Sequence, residues 1–137
     1  MRLVRLGQGR WTVLAVLNGR GDCQVLDLLE SEGAPGERLL ADLQERVPNH
    51  GPPLNSEASK PLRDKILEFR EPTNHGGTLR VLYFYDKGHV VVCANGVLKK
   101  TDKTPDELID QAVAIKAAYD ADKVRNDIVI EELPTAE

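Results

Sequence analysis

The sequence predicts an α+β fold: a small twisted antiparallel sheet with an N-terminal helical hairpin and a C-terminal helix. Three observations carry this. Helical and strand-like apolar periodicities occupy separate stretches of the chain instead of alternating. Turn signals divide the middle of the chain into short β-rich runs, and one long amphipathic stretch follows them. With 137 residues, 41% hydrophobic and 29% charged, the chain can fill one core and is too apolar to be mainly disordered. Residues 1–124 read as a single domain and 125–137 as an acidic tail, either an added edge strand or disordered.

The elements follow in order. Trp11 to Leu17 is rich in apolar and β-branched residues and ends in the turn cluster Asn18-Gly19-Arg20-Gly21-Asp22, so it reads as a first strand. From Cys23 to Val47, Val25, Leu26, Leu28 and Leu29, then Leu39, Leu40, Leu43 and Val47, recur at helical spacing around Gly33-Ala34-Pro35-Gly36, which predicts the helical hairpin. Pro48 to Ser59 has no periodicity and reads as a loop. Three strands are predicted at 65–71, 78–85 and 89–97, joined by Pro72 to Gly77 and by the tight Asp86-Lys87-Gly88, giving an antiparallel meander. Thr104 and Glu107 have the spacing of a capping box, with Pro105 at the first helical position, and Leu108, Ala112, Ile115 and Tyr119 form an apolar stripe. Helices are expected on one face of the sheet, leaving the other free to bind.

Composition excludes several classes. No apolar run approaches the roughly 20 residues that span a bilayer. The basic start, Met1 to Gly7, lacks an apolar signal core, which points to the cytoplasm. Cys23 and Cys93 have no partner at zinc-ligand spacing, so they read as core residues, and neither a metal nor a cofactor is expected. The net charge of −4 argues against general nucleic-acid binding, but its distribution is uneven. Nine basic residues face five acidic ones between Lys60 and Lys103, so that segment is +4 inside an acidic chain. Strand alternation puts Glu68 and Arg70 on one face, and Arg80, Leu82 and Phe84 on one face of the next strand. A register pairing Arg70 with Arg80 would hold two guanidinium groups side by side, with Lys99, Lys100 and Lys103 arriving at the edge. Such an arrangement suits phosphates.

The stretches Lys60-Pro61-Leu62-Arg63-Asp64-Lys65-Ile66-Leu67-Glu68-Phe69-Arg70, Leu79-Arg80-Val81-Leu82-Tyr83-Phe84-Tyr85 and Leu98-Lys99-Lys100-Thr101-Asp102-Lys103-Thr104-Pro105, in this order, resemble the phage-derived Gp49-like, HigB-like branch of the RelE/ParE toxin superfamily. The resemblance covers about Trp11 to Asp120. It implies a RelE-like fold and the toxin of a type II toxin–antitoxin system, a ribosome-dependent endoribonuclease of messenger RNA that works without metal by attack of a ribose 2′-hydroxyl on the adjacent phosphate. It further implies catalytic roles for Arg80, Lys100 and Lys99 at the scissile phosphate, and RNA-binding roles for Arg70, Lys103, Arg63 and Lys60. Lys103, Tyr85 and His89 are candidates for proton transfer by chemistry alone. The implied partners are a helix-turn-helix antitoxin and messenger RNA on the ribosome, with no membrane. The alternative is a non-catalytic binding module of the same fold, or a gyrase-directed relative. An acidic tail folding over the basic site through Glu131 and Glu132 is a further variant. The chain departs from the pattern at Leu67 and at Ala94-Asn95-Gly96-Val97, where many relatives carry aromatic residues that stack on bases.

Overall fold

Apolar side chains alternate between two buried faces of one mixed sheet. The computed structural model describes residues 1–53 and 58–134. Its strands are β1 (Arg2–Gln8), β2 (Thr12–Val16), β3 (Ser59–Pro61), β4 (Leu67–Pro72), β5 (Thr78–Asp86), β6 (Val90–Lys99) and β7 (Val129–Glu132), arranged β3-β4-β5-β6-β2-β1-β7. Neighbours pair antiparallel except β2 with β6 and β1 with β7, which are parallel. The helices are α1 (Gln24–Ser31), α2 (Gly33–Ala41), the short α3 (Val47–His50) and α4 (Asp106–Val124), with a π-helical turn at Asp42–Arg46 between α2 and α3.

The α+β class and the β4–β5–β6 meander agree with the sequence reading. The small sheet and the N-terminal helical hairpin do not. The chain opens with the β1–β2 hairpin, and the helical region after it is α1 followed by a continuous run from α2 through the π turn into α3. The sheet has seven strands among the described residues and is mixed. β1 escapes the periodicity argument for a physical reason: Leu3 and Val4 are both buried because both sheet faces are covered, so the strand lacks a clean in-out alternation. In the tail, Val129–Glu132 forms the edge strand β7. The predicted loop at 48–59 includes the end of α3, and residues 54–57 lie outside the described residues.

One face packs Val4, Val13, Val81, Tyr83 and Val91 against Val25 and Leu29 of α1 and Leu39 of α2. The other packs Leu14, Leu82, Phe84 and Val92 against Ile109, Ala112 and Tyr119 of α4. This corrects the expectation of helices on one face only. The α4 stripe needs an apolar surface to cover, and Leu82, Phe84 and Val92 supply it; a fully buried side chain of this size contributes about 1.5–3 kcal/mol.

Gly36 lies inside α2 and not in a turn between helices. A Cβ there would stand 1.8 Å from the carbonyl oxygen of Leu29, so glycine permits the close crossing of α1 and α2. Gly36→Ala is expected to lower the unfolding free energy by about 1–3 kcal/mol, the range for overpacked cores. Urea denaturation followed by circular dichroism checks this.

The far end of β5 is tied to α4 through Asp86. Its carboxylate accepts a hydrogen bond from the Tyr119 hydroxyl at 2.6 Å and pairs with Lys123. Burial pushes the Asp86 pKa up, but Lys123, the Tyr119 hydroxyl and the Lys87 N–H together pull it below its ordinary value of 3.8. A depressed folded-state pKa means the stabilisation is present above the unfolded value and is lost as pH falls through the folded one. Asp86→Asn is therefore expected to destabilise the protein at neutral pH and to show a weaker loss of stability on acidification below about pH 4 than wild type, measured by unfolding at a series of pH values.

Candidate nucleic-acid interface

The register places the arginines as the sequence reading required: Arg70 is directly opposite Arg80. Both point to the face that carries α4, as do Thr78 and Lys99, which pair across β5 and β6. Their surroundings differ sharply. Arg80 is 1% exposed. One guanidinium nitrogen donates to Glu68 Oε1 at 3.0 Å and to Thr104 Oγ1 at 3.1 Å, and the other donates to the Thr101 carbonyl at 2.8 Å. Thr104 Oγ1 in turn donates to Glu68 Oε2 at 2.5 Å. Glu68 and Thr104 are buried as well.

The expected catalytic contact of Arg80 with a phosphate is therefore corrected. Its guanidinium is enclosed by groups from β4 and from the loop before α4, and no ligand can reach it in this conformation. It fixes the 99–104 loop to the sheet. The sequence leaves open a cross-strand pairing of Arg70 and Arg80 with Glu68, Glu71 or Asp86, and Glu68 is the partner found; Thr104 is the one it misses. The capping box expected at Thr104 does not form: α4 begins at Asp106 with Pro105 at the N-cap and no side-chain cap bond, and the threonine hydroxyl is engaged by Glu68 instead. The signal is present in the alternation that puts Glu68 and Arg70 on one strand face, in register with Arg80.

The accessible cations sit beyond the N-terminus of α4, where the ends of β4, β5 and β6 extend past the helix. Lys60, Arg70, Pro72 and Thr78 line a hollow of about 270 Å³. Lys99, Thr101, Lys103 and Pro105 line a second of about 360 Å³. Thr78 of the first and Lys99 of the second stand opposite each other across β5 and β6. Lys60, Lys99 and Lys100 are exposed and have no ion-pair partner among the described residues. Arg70, at the inner side of the first hollow, keeps only 18% of its side chain exposed and stands 3.6 Å from Glu68 Oε1. Lys103 reaches Asp106 only at 4.0 Å, with both side chains exposed, a weak pairing.

Other expected members lie elsewhere. Arg63 is turned to α4, bonded to Asp110 at 2.5 Å and to Asp64 at 2.9 Å, so its charge is compensated away from the hollows. Tyr85 and His89 lie near the β5–β6 turn, about 25 Å along β5 from Thr78. His89 stacks on Trp11, with ring centroids 4.6 Å apart. Tyr83 is fully buried with its hydroxyl 2.6 Å from Ser59 Oγ, and burial pushes its pKa up, keeping it neutral. Glu131 and Glu132 pair with Arg2 and Arg5 of β1, at the opposite edge of the sheet from β3, so these two carboxylates do not cover the basic corner.

Chemically, the corner offers guanidinium and ammonium groups around two neighbouring hollows, an arrangement with the charge to neutralise phosphates. Fold and corner together define an α+β domain with a cationic sheet end. The chain belongs to the family described as phage derived protein Gp49-like (DUF891), whose sequence profile matches residues 25–116, a family associated with RelE-like toxins. The match spans α1 to most of α4 and contains Lys60, Arg70, Lys99 and Lys103, while β1, β2 and β7 lie outside it. No curated protein matches the chain. Among the described residues, no helix is long and apolar enough to cross a membrane.

Proposed function

We propose that the chain is the toxin of a type II toxin–antitoxin system, of the HigB-like branch of the RelE/ParE superfamily, and cuts messenger RNA on the ribosome. The observation that carries this reading is the cluster of Lys60, Arg70, Lys99 and Lys103 around the two neighbouring hollows, with Lys100 next to Lys99 in sequence, within the span matched by the Gp49-like family. Arg70 and Lys60 hold the RNA backbone. Lys99 and Lys100 stabilise the negative charge that develops as a ribose 2′-oxygen bonds to the adjacent phosphorus and the bond to the 5′-oxygen breaks. Arg80 acts indirectly, by holding the lysine loop. The chain is only 4% aromatic and has little with which to splay and stack bases, so the ribosome presents the strand. A helix-turn-helix antitoxin neutralises the toxin by covering the basic corner, in the cytoplasm.

A second reading, a non-catalytic binding module, draws on the distance of Tyr85 and His89 from the corner, which leaves lysines as the proton-transfer groups beside the phosphate. Induced expression in a bacterial host separates the two. Growth arrest with new RNA 5′ ends inside translated codons, both lost in Arg70→Ala and Lys99→Ala while the folded spectrum is kept, supports the nuclease. Arrest without RNA cleavage overturns it in favour of the binding module or a gyrase-directed toxin.

A further inference from the structure

Pairing between β4 and β5 ends at Leu67 opposite Tyr83, while β5 continues to Asp86. The chain ahead of β4 turns away because Asp64 and Lys65 both adopt left-handed backbone, at φ 53° and 65°. Two hydrogen bonds hold this turn, Leu62 N–H to the Ile66 carbonyl at 2.8 Å and Ile66 N–H to the Arg63 carbonyl at 2.9 Å. Consecutive non-glycine residues in this region are unfavourable and persist where the surroundings over-determine them, as at ligand sites. The consequence is a groove of about 730 Å³ beside the unpaired end of β5, within the size range of small-molecule sites.

Its walls are chemically sorted. Leu62, Leu67 and Tyr85 supply apolar and aromatic surface, and Lys65, Lys87 and Lys116 supply cations. The carboxylates that line it are already engaged: Asp120 pairs with Lys116 at 2.8 Å, and Asp86 with Lys123 and Tyr119. Lys65 and Lys87 are exposed and have no ion-pair partner among the described residues. The uncompensated charge is positive and stands next to an aromatic ring. A ligand that satisfies both features carries a planar ring and an anionic group.

We propose that this groove is a nucleotide-binding site, with the base against Tyr85 and Leu67 and the phosphate between Lys65 and Lys87. Stacking on Tyr85 tolerates any base, because every base presents a π face. The site lies at the opposite end of β5 from the Arg70–Lys99 corner and does not depend on the proposed nuclease activity. A free nucleoside monophosphate and one nucleotide of an RNA strand offer the same chemistry.

The test titrates adenosine 5′-monophosphate into the full chain. Trp11 is the chain's single tryptophan, and its ring lies 5.8 Å from that of Tyr85, so its fluorescence reports occupancy, with backbone amide shifts as a second readout. Saturable binding is expected, weakened at least tenfold by Lys65→Glu or Lys87→Glu, unchanged by Arg20→Ala in the distant turn, and weaker for inorganic phosphate alone. A parallel titration with a short single-stranded oligoribonucleotide distinguishes the sources. Groove variants that weaken both ligands assign the site to a strand of RNA; variants that weaken only the monophosphate assign it to a free nucleotide. No saturable binding of either ligand overturns the proposal. So does binding that both charge reversals leave intact, or inorganic phosphate binding as tightly as the nucleotide. These readouts come from purified protein and stand whether or not expression arrests growth.

Discussion

Arg80→Ala is expected to lower the free energy of unfolding by about 3–5 kcal/mol, the range for removing one partner of a buried ion pair. The Glu68 carboxylate would remain inside the protein with only the Thr104 hydroxyl and the more distant Arg70 beside it. The Thr101 carbonyl would lose its donor, freeing the lysine loop from the sheet. Exchanging the whole unit behaves differently: Arg80→Met combined with Glu68→Leu and Thr104→Val removes all three polar side chains together, and such replacements are often neutral or stabilising. Urea unfolding of the single and triple variants decides. A loss below about 1 kcal/mol for the single change would fit a surface arginine and contradict the enclosed one. The same expectation governs activity assays, because lost toxicity in Arg80→Ala reports unfolding before it reports chemistry.

Arg70→Ala combined with Lys99→Ala is expected to abolish RNA cleavage while leaving the fold intact. Arg70 is mostly buried but outside the apolar core, and Lys99 is exposed, so neither substitution removes a core side chain. Removing one preorganised charge-stabilising donor typically lowers the rate about 10²–10³-fold. The pair should also reduce the dependence of RNA affinity on salt, by about one in the logarithmic slope for each phosphate that is no longer neutralised. Fluorescence anisotropy with a labelled oligoribonucleotide at several salt concentrations measures this. An unchanged slope would remove both residues from the RNA path. Arg63→Ala serves as the contrast: its charge is already compensated by Asp110 and Asp64, so the slope should hold.

The meander and its register are legible in the sequence because the punctuation is local. Pro72 to Gly77 and Asp86-Lys87-Gly88 bracket β5, and side-chain alternation then puts Arg70 and Arg80 on one face. What local pattern cannot report is what lies above that face. Whether Arg80 meets solvent or Glu68 and Thr104 depends on a loop returning from β6 to α4, a tertiary fact. The helical hairpin fails for a related reason. Gly33, Pro35 and Gly36 look like breakers, yet Pro35 sits within the first turn of α2, where its missing N–H does no harm, and Gly36 is needed for close packing. β1 is obscured because both its faces are buried, and β7 because it is four residues long and recruited by the distant β1. The accessible cations Lys60, Lys99, Lys100 and Lys103 are readable as a basic run, whereas the orientation of Arg63 toward α4 is not.

The parallel seam between β2 and β6, where Thr12 stands opposite Val90, has a kinetic consequence. The two strands lie far apart in sequence, so joining them carries a loop-closure entropy that neither the β1–β2 hairpin nor the β4–β5–β6 meander incurs alone. Both local units can form early, and zipping the sheet along β2 and β6 then becomes the slow step. During synthesis the β1–β2 hairpin emerges long before β6 and must wait with Val13, Leu14 and Ala15 uncovered. Lys99 and the loop that Arg80 anchors come later still, at and just beyond the end of β6, so the basic corner is completed only after β1 to β6 have emerged. A chain interrupted before Thr104 therefore carries most of the sheet and none of the locked lysine loop.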